Sequence, residues 1–461
     1  MRLTLRDYQS RAIHDLRCAY RQGARAPLLV APCGMGKTVV FSAITAGAVE
    51  RGRHVLILVH RRELIRQASE KLTSAGVAHG VIAAGVTGAA HPVQVASVQT
   101  LARRLPVIDW QPDLIVIDEA HHAVAGTWQT ILDHWPDAYR LGVTATPVRK
   151  DGRGLCSMFD HLVSGPSVAS LTNHGYLCSA RIYAPPPAAD LSGLHVRAGD
   201  FRPEEITERL DRPTVTGDAI DHYQRLCNQR RAIAFCCSTK HAASVTAAFN
   251  QRGVPAATLL GETPTDQRDQ LVRQFAAGTI HVLVTVDVVS EGFDCPSAEA
   301  AILLRPTQSE GLYLQQVGRV LRPSPGKPHA LILDHVGNVH RHGFPDDDRG
   351  WSLEDRPKRG KGGPAAPSVR TCEQCFAAFP PQPSCPVCGA ACAPAPARRL
   401  DQVDGELQEL KREAVRQRVA ERKGARTISE LIKVGIARGM KNPAGWAKHV
   451  FYARQQRAGT Q

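Results

Sequence analysis

The stretch Gln315-Gln316-Val317-Gly318-Arg319-Val320-Leu321-Arg322 is the most informative part of this sequence, because of what precedes it. Far upstream, Gly34-Met35-Gly36-Lys37-Thr38 lies between an apolar run and a helical pattern. Glycines at the start of a helix let backbone amides converge on phosphate oxygens. Two arginines on a short helix in a second α/β unit can contact the same phosphates. The two stretches together predict a nucleotide cleft between two domains.

The sequence alternates between short apolar runs and helical patterns in two regions, which predicts an α/β fold. The first region runs from Pro27 to about Val143, and the second follows the proline-rich segment 184–187 and ends near Leu333. Predicted strands include 28–30, 55–59, 114–117, 232–235, 280–284, 301–304 and 331–333. Continuous apolar strands that alternate with helices predict parallel sheets covered on both faces.

Composition favours a polyanionic partner. The chain has 461 residues and a formal net charge of +14, and residues 393–461 alone carry 15 Lys and Arg against 7 Asp and Glu. Such an excess of positive charge suits nucleic acid. We expect no membrane partner, because no apolar run approaches the roughly 18 residues of a bilayer span. The N-terminal residues lack a signal-peptide pattern, so we expect a cytoplasmic protein, nucleoid-associated if bacterial.

The phosphate-loop residues carry specific chemistry. Lys37 is expected to pair with the β- and γ-phosphates, and the Thr38 hydroxyl to bind Mg²⁺. Gly34 and Gly36 allow the backbone to approach the phosphates, whereas Ala31 stands where the usual pattern has glycine. ATP and Mg²⁺ are therefore the predicted ligands.

A pair of carboxylates follows the apolar strand 114–117. Asp118 and Glu119 would lie at the carboxyl edge of a parallel sheet, where ligands bind. We expect Asp118 to hold Mg²⁺ and Glu119 to orient the attacking water.

Three motifs in this order resemble superfamily 2 DEAD/DEAH-box helicases: Asp118-Glu119-Ala120-His121, Thr144-Ala145-Thr146-Pro147 and Gln315 to Arg322. The resemblance extends over about residues 1–340 and implies two RecA-like domains in tandem with ATP between them. It implies catalytic roles for Gln315, Arg319 and Arg322, since guanidinium groups form bidentate bonds to phosphate oxygens.

The same resemblance implies further roles in the first domain. Leu5-Arg6-Asp7-Tyr8-Gln9 is similar to the motif that reads adenine, with Gln9 on the base. His121, Thr144 and Thr146 would couple hydrolysis to strand binding. Arg61 and Thr100 would contact phosphates of a nucleic-acid strand.

In the second domain, Thr285 to Asp294 resembles the fifth motif of the family. Thr285 would face the nucleic-acid backbone, Gly292 would allow close backbone approach, and Asp294 would contact the ribose of ATP. Each of these roles is implied by the resemblance.

A cysteine cluster follows the two α/β regions. Cys372, Cys375, Cys385 and Cys388 form two Cys-x2-Cys pairs, and Pro386 and Gly389 suit a tight knuckle turn. Paired knuckles of this spacing place four thiolates around Zn²⁺ in a closed structural site. Cys392 can replace Cys388 by position, but the paired spacing favours Cys388.

The four-cysteine module and basic tail make the chain similar to bacterial RadD-type helicases, a family associated with DNA repair and the single-strand-binding protein. We therefore expect single-stranded or branched DNA as partner, together with the single-strand-binding protein. The sequence predicts an ATP-binding domain (1–180), a connecting segment (181–225) and a helicase C-terminal domain (226–345). A linker (346–370), a zinc module (371–392) and a basic helical tail (393–461) follow.

Two alternatives stay open from the sequence. One is an RNA-directed helicase of the same superfamily. The other is a zinc-dependent interaction protein whose ATPase acts as a switch. The complete set of Lys37, Asp118, Glu119, Arg319 and Arg322 argues against a purely binding role.

Overall fold

The computed structural model describes most of the chain, in these ranges: 4–86, 91–123, 126–149, 153–184, 196–197, 200–201, 219–286, 295–355, 368–392, 425, 427–437, 442–445, 447–448 and 450–451. The chain divides into two compact units, Met1–Ala393 and Pro394–Gln461. Each unit is described by itself. None of the helices in the described ranges is long and apolar enough to cross a membrane.

The first lobe is built on a seven-stranded parallel sheet with the order β3-β4-β2-β5-β6-β1-β7. Its strands are β1 Pro27–Val30, β2 Val55–Val59, β3 Gly80–Ile82, β4 Val93–Ser97, β5 Leu114–Asp118, β6 Tyr139–Thr144 and β7 His161–Ser164. Its helices are α1 Asp7–Arg21, α2 Lys37–Val49, α3 Arg62–Ser74, α4 Val98–Arg104, α5 Gly126–His134 and α6 Val168–Asn173.

Local sequence explains these elements. Every residue of β1, β2 and β5 is buried, as expected for central strands covered on both faces. Helix α3 turns one apolar stripe inward, formed by Leu64, Ile65, Ala68 and Leu72. The predicted strands of the first region are confirmed, with shifts of one residue at their ends.

The second lobe carries an eight-stranded sheet with the order β12-β13-β11-β14-β15-β8-β17-β16. Its strands are β8 Ala180–Tyr183, β11 Ala232–Phe235, β12 Ala256–Leu259, β13 Val282–Thr285, β14 Ala300–Leu303, β15 Ala330–Asp334, β16 Arg370–Thr371 and β17 Ala377–Phe379. A separate two-stranded ribbon pairs β9 Val196–Arg197 with β10 Asp200–Phe201. The helices are α7 Thr239–Gln251, α8 Thr265–Ala277, α9 Glu310–Val320 and α10 Asn338–His342.

The cysteine module completes the second sheet. Strands β12 to β8 of this sheet are parallel, whereas β17 pairs antiparallel with β8, and β16 pairs antiparallel with β17. The Ala184 N–H also donates to the Phe376 carbonyl at 2.9 Å. The module therefore continues the sheet of the second lobe by two strands. Strand β8 belongs to this sheet too, although it lies where the sequence suggested the start of a connecting segment.

The chain returns to the first lobe after α10. The Leu155 and Cys156 N–H groups donate to the Leu353 carbonyl at 2.8 and 3.1 Å, and Gly154 N–H donates to Asp355 at 2.8 Å. Trp351 and Leu353 pack on the buried core of the first lobe. The start of the predicted linker 346–370 is thus bound to the first lobe.

The second unit contains α11, Ile428–Ala437. Thr427 Oγ1 accepts from the Glu430 N–H at 3.3 Å, and the Glu430 carboxylate accepts from the Thr427 N–H at 3.1 Å. These reciprocal bonds form a capping box, for which the Thr-x-x-Glu spacing is the local sequence signal. Leu431 and Ala447 belong to the small core of this unit. Much of the predicted basic helical tail 393–461, including 402–423, lies outside the described residues.

Candidate active site

A cavity of about 810 Å³ separates the two lobes and gathers most of the predicted ATP-site residues. The first lobe supplies its phosphate loop and the carboxylates at the end of β5, and the second supplies α8 and the end of α9. The residues named from sequence that line it are Gln9, Gly34, Gly36, Lys37, Thr38, Asp118, Glu119, Arg319 and Arg322. Cations and carboxylates from distant parts of the chain therefore face one space.

The phosphate loop requires glycine at two positions. Gly34 and Gly36 both have φ of +87°, in the left-handed region that favours glycine. Helix α2 begins directly after Gly36, and its first turn has neither an acidic residue nor a side-chain cap within the described chain. Its N-terminal amides and positive dipole end are thus available to an anion in the cavity. The Lys37 ammonium is held near the loop by the Ala31 carbonyl, at 3.3 Å.

Gln9 anchors α1 to the phosphate loop. Its Nε2 donates to the Met35 carbonyl at 3.1 Å, and its Oε1 accepts from the Arg6 N–H at 3.0 Å. The side chain is buried and also lines the cavity. Because a Cβ on Gly36 would lie 2.6 Å from Gln9 Nε2, the glycine also makes room for this amide.

The two carboxylates differ in their surroundings. Asp118 ends β5, and its Oδ1 accepts from the Glu119 N–H at 3.0 Å. Glu119 has φ of +48° and ψ of +54°, a left-handed conformation that costs a non-glycine residue about 1–2 kcal/mol. Glu119 Oε2 is buried without a hydrogen-bond partner among the described residues, and it lies 3.5 Å from His121 Nδ1. Strain and an unsatisfied oxygen are typical of a functional position.

A polar chain leads from Glu119 to the second lobe. His121 Nδ1 lies 3.0 Å from Thr144 Oγ1, and this hydroxyl donates to the Thr146 carbonyl at 2.9 Å. Thr146 in turn contacts α9, because a Cβ on Gly311 would lie 2.9 Å from Thr146 Oγ1. The three residues predicted for coupling therefore lie in one series between the Glu119 carboxylate and the start of α9, the helix that carries Arg319.

Helix α9 approaches the phosphate loop closely. A Cβ on Gly318 would lie 2.6 Å from Cys33 Cβ, so only glycine fits at this crossing. Arg319 and Arg322 line the cavity. Gln315 is buried one turn earlier on the same helix, with 4 % of its surface exposed, and does not line the cavity.

Ion pairs also join the lobes at the cavity. Arg268 on α8 donates to Glu63 on α3, and Arg66 lies 3.5 Å from Asp269. No local pattern predicts these pairs, because their partners are far apart along the chain and charged residues on helix surfaces are common. The contact between His60 and His122, whose rings lie 4.5 Å apart beside His121, was not predicted either, since it joins separate segments.

The described residues predicted to contact nucleic acid do not line this cavity. Arg61 follows β2 and Thr100 lies in the first turn of α4 after β4, and these neighbouring parallel strands place both at one sheet edge. Both are half-buried. Thr285 ends β13 and is fully buried. Gly292 and Asp294 lie outside the described residues.

The four predicted metal ligands come together in the cysteine module. The sulfur atoms of Cys372, Cys375, Cys385 and Cys388 lie within 4.8 Å of one another. The backbone N–H of Cys375 lowers the pKa of the Cys372 thiol to about 7, whereas burial raises the pKa of the Cys375 thiol to about 12. The geometry of the four sulfur atoms, more than these pKa values, therefore indicates a metal site. Cys392 is not part of this group and faces the Ala390 carbonyl. The donor set fits a closed tetrahedral site.

Comparisons with known families agree with this geometry. Residues 2–149 match the family described as type III restriction enzyme, res subunit, and residues 218–324 match the helicase conserved C-terminal domain. A 51.5 kDa protein of a Lactococcus phage (isolate 7-9) is 37 % identical over 76 % of this chain and 74 % of its own length. A Saccharomyces cerevisiae protein provisionally named ATP-dependent helicase IRC3 is 31 % identical over 72 % of this chain and 51 % of its own. The DNA 3'-5' translocase XPB2 of Sulfurisphaera tokodaii is 24 % identical over 73 % and 82 %.

Solved structures share the fold. An HsdR-subunit fragment of a type I restriction enzyme from Vibrio vulnificus has a TM-score of 0.58 at 22 % identity, over 74 % of this chain and 67 % of that chain. The type ISP restriction-modification enzyme LlaBIII bound to DNA has a TM-score of 0.53 at 17 % identity, over 72 % of this chain and 28 % of that chain.

The fold and site define a nucleoside triphosphatase with two RecA-like domains in tandem. The chain belongs to the superfamily 2 helicases, and it is an ATP-hydrolysing enzyme.

Proposed function

We propose that this helicase is an ATP-driven DNA translocase or remodelling enzyme that acts in repair or recombination. The observation that carries the proposal is the shared cavity, in which Lys37 of the first lobe faces the same space as Arg319 and Arg322 of the second. A nucleotide bound there touches both lobes. Its hydrolysis therefore changes how strongly the lobes attract each other, and this is the motion that a motor needs.

The residue roles follow from their positions. Lys37 and the α2 amides bind the phosphates, Thr38 and Asp118 hold Mg²⁺, and Glu119 orients the attacking water. Arg319 and Arg322 stabilise charge on the transferred phosphoryl group. Gln9 contacts the base, with its amide already oriented by the phosphate loop. Gln315 would act by supporting α9, because it is buried beside the cavity wall.

We expect ATP hydrolysis to be coupled both to movement of α9 and to binding of a nucleic-acid strand. His121, Thr144 and Thr146 run from Glu119 to the start of α9. Arg61 and Thr100 lie at the carboxyl edge of the first sheet, the edge at which Asp118 ends β5. A strand bound along this edge is thus held next to the catalytic carboxylates, and its phosphates are gripped without regard to sequence.

The net charge of +14 supports a nucleic-acid strand, because it suits a polyanion. DNA is favoured by a relative over 73 % of the chain that is named as a DNA translocase. Structural neighbours do not distinguish the two strands, since one was solved with DNA and another with RNA. Single-stranded or branched DNA and the single-strand-binding protein are the partners that the likeness to RadD-type helicases favours, with the cytoplasm as the site of action.

Steady-state phosphate release with single-stranded, double-stranded or branched DNA, or with RNA, tests the proposal. We expect DNA to raise the rate at least several-fold and RNA to compete weakly. The Lys37→Ala variant controls for contaminating ATPase and should release almost no phosphate. Stimulation by RNA alone would favour the RNA-directed alternative. A rate that no nucleic acid changes would reject the motor and favour the nucleotide-switched interaction protein.

We also propose that the four cysteines bind a structural Zn²⁺. Four thiolates in two knuckles leave no open coordination position, so the metal would stabilise the fold and take no part in ATP hydrolysis. The cluster sits beside β17, which pairs with the sheet of the second lobe. Zinc would therefore support the edge of that lobe.

A further inference from the structure

Lys327 is a buried lysine that the proposed roles leave unused. It lies in the turn that follows Arg322, directly after Gly326, whose φ of +78° closes the turn. Only 8 % of the Lys327 surface is exposed. A buried lysine normally needs compensating partners, because an unpaired ammonium in a protein interior is costly.

Its partners are three backbone carbonyls. Lys327 Nζ donates to the carbonyls of Ala298 and Val320, both at 2.7 Å, and of Arg322 at 2.8 Å. The carbonyl of Leu321 accepts from the Cys178 N–H at 2.8 Å. The three carbonyls from 320 to 322, at the C-terminal end of α9, are thus all occupied. An ammonium at this end is also favoured by the helix dipole.

These bonds fix one wall of the nucleotide cavity. Pro296, Arg322 and Pro323 line the cavity, and Lys327 binds the backbone behind two parts of this wall. One part is the segment of Ala298, two residues after Pro296. The other is Arg322 itself. The lysine therefore ties together two chain segments whose relative position sets the shape of the wall.

We propose that Lys327 is a positioning residue that holds the end of α9, and with it Arg319 and Arg322, in the place required for ATP hydrolysis. This inference rests on the proposed roles of the two arginines. Lys327 itself does not reach the cavity, so it acts through backbone geometry. An ammonium suits the task because its three hydrogens match three carbonyls.

The protonation state of Lys327 gives the proposal a distinctive readout. The pKa of this lysine is lowered to about 8, chiefly by burial. Cys178 and Glu299 oppose this shift, and Arg231 and Arg322 add to it. Above that pH the amine has two hydrogens for three carbonyls, and one buried carbonyl loses its partner. We therefore expect turnover to fall as the pH rises through 8.

The pH dependence that Lys327 gives to the free energy of unfolding has the opposite sign to its effect on turnover. The folded-state pKa of Lys327 lies below its unfolded value, so between about pH 8 and 10.5 the folded chain binds fewer protons at this site than the unfolded chain. The contribution of Lys327 to the free energy of unfolding thus becomes more favourable with rising pH in this window. Loss of turnover there cannot be attributed to unfolding driven by this residue.

The experiment compares Lys327→Met, Lys327→Arg and, as a matched control, the exposed Lys240→Met on α7. We expect Lys327→Met to lower kcat by about tenfold to a hundredfold, the range for a small displacement of catalytic groups, with KM for ATP nearly unchanged. Lys327→Arg should recover part of kcat and lose the fall between pH 7.5 and 9, because a guanidinium stays charged. Lys240→Met should keep the wild-type rate and pH profile.

A double variant separates this inference from the function on which it rests. If Lys327 acts through Arg319 and Arg322, Lys327→Met should lower turnover by a smaller factor in an Arg322→Ala background than in the wild-type protein. Normal turnover of Arg322→Ala alone would refute the proposed arginine role. Near-normal kcat of a folded Lys327→Met variant would overturn the positioning role, as would additive losses in the double variant. If Lys327→Met fails to fold, a Lys327→Arg profile identical to wild type overturns it equally.

Discussion

Replacing Gly318 with alanine should separate helix stability from catalysis. Across the cleft, a Cβ at position 318 would lie 2.6 Å from Cys33 Cβ and 3.4 Å from its Sγ. Non-bonded carbon atoms prefer about 3.5–4.0 Å, so the added methyl group lacks roughly 1 Å of space. Cys33 belongs to the phosphate loop and cannot retreat without moving Gly34. Helix α9 must therefore shift away from the loop and carry Arg319 with it.

Gly318→Ala should affect the stability of α9 and the rate of hydrolysis differently. Alanine is favoured over glycine inside a helix by about 1 kcal/mol, so α9 itself is not weakened. A displacement of roughly 1 Å in a catalytic group can cost on the order of a hundredfold in rate. We expect kcat to fall by about this factor. KM should change little, because the Lys37 side of the cavity is untouched.

The assay is steady-state phosphate release, with thermal unfolding followed in parallel. Gly47→Ala in α2 is the matched control, since the atom nearest to its added Cβ would be the flexible end of Arg51 at 3.3 Å. The control should keep the wild-type kcat. A Gly318→Ala variant that hydrolyses ATP within about twofold of wild type would refute the close approach between α9 and the phosphate loop.

Three further outcomes are expected. Arg319→Ala should retain binding of a fluorescent ATP analogue but lose on the order of 10³ in turnover; normal phosphate release would contradict the cleft arrangement. Glu63→Gln and Arg268→Ala should each lower turnover several-fold and show a coupling energy of about 0.5–3 kcal/mol in a double-variant cycle, whereas additive effects would mean that this ion pair does not hold the lobes together. Cys385→Ser should abolish stoichiometric zinc, measured with a chromogenic chelator, and lower the melting temperature; Cys392→Ser is the control, and equal zinc content in both variants would reject the four-cysteine assignment.

Much of the nucleotide site was predictable because its signals are local. Gly34 to Thr38 needs only a strand, a glycine turn and a helix in sequence, and Asp118 and Glu119 need only the end of a buried strand. The cysteine spacing likewise favours the four thiols that meet, with Cys388 preferred to Cys392. The capping box at Thr427 is local too. In each case a few neighbouring residues determine the geometry.

The features that could not be predicted from the sequence depend on contacts between distant segments. Lys327 appears in the sequence as one lysine in a Pro-Gly turn, and nothing nearby shows that three carbonyls surround it. The burial of Thr285 follows from its place at the end of a central strand. The ion pair between Glu63 and Arg268 exists only once both lobes have formed. Pattern alone does not encode such long-range neighbours.

The pairing of β17 with β8 also has a consequence for biosynthesis. Strand β8 is made early, yet the strand that covers its free edge is made after every other strand of that sheet. During translation the second sheet therefore presents an unpaired edge, and such edges recruit other chains. A metal that folds residues 372–388 as they leave the ribosome would close this edge at once. In a cell short of zinc, we therefore expect aggregation of the nascent chain, and not loss of ATPase activity in the folded protein, to be the first consequence.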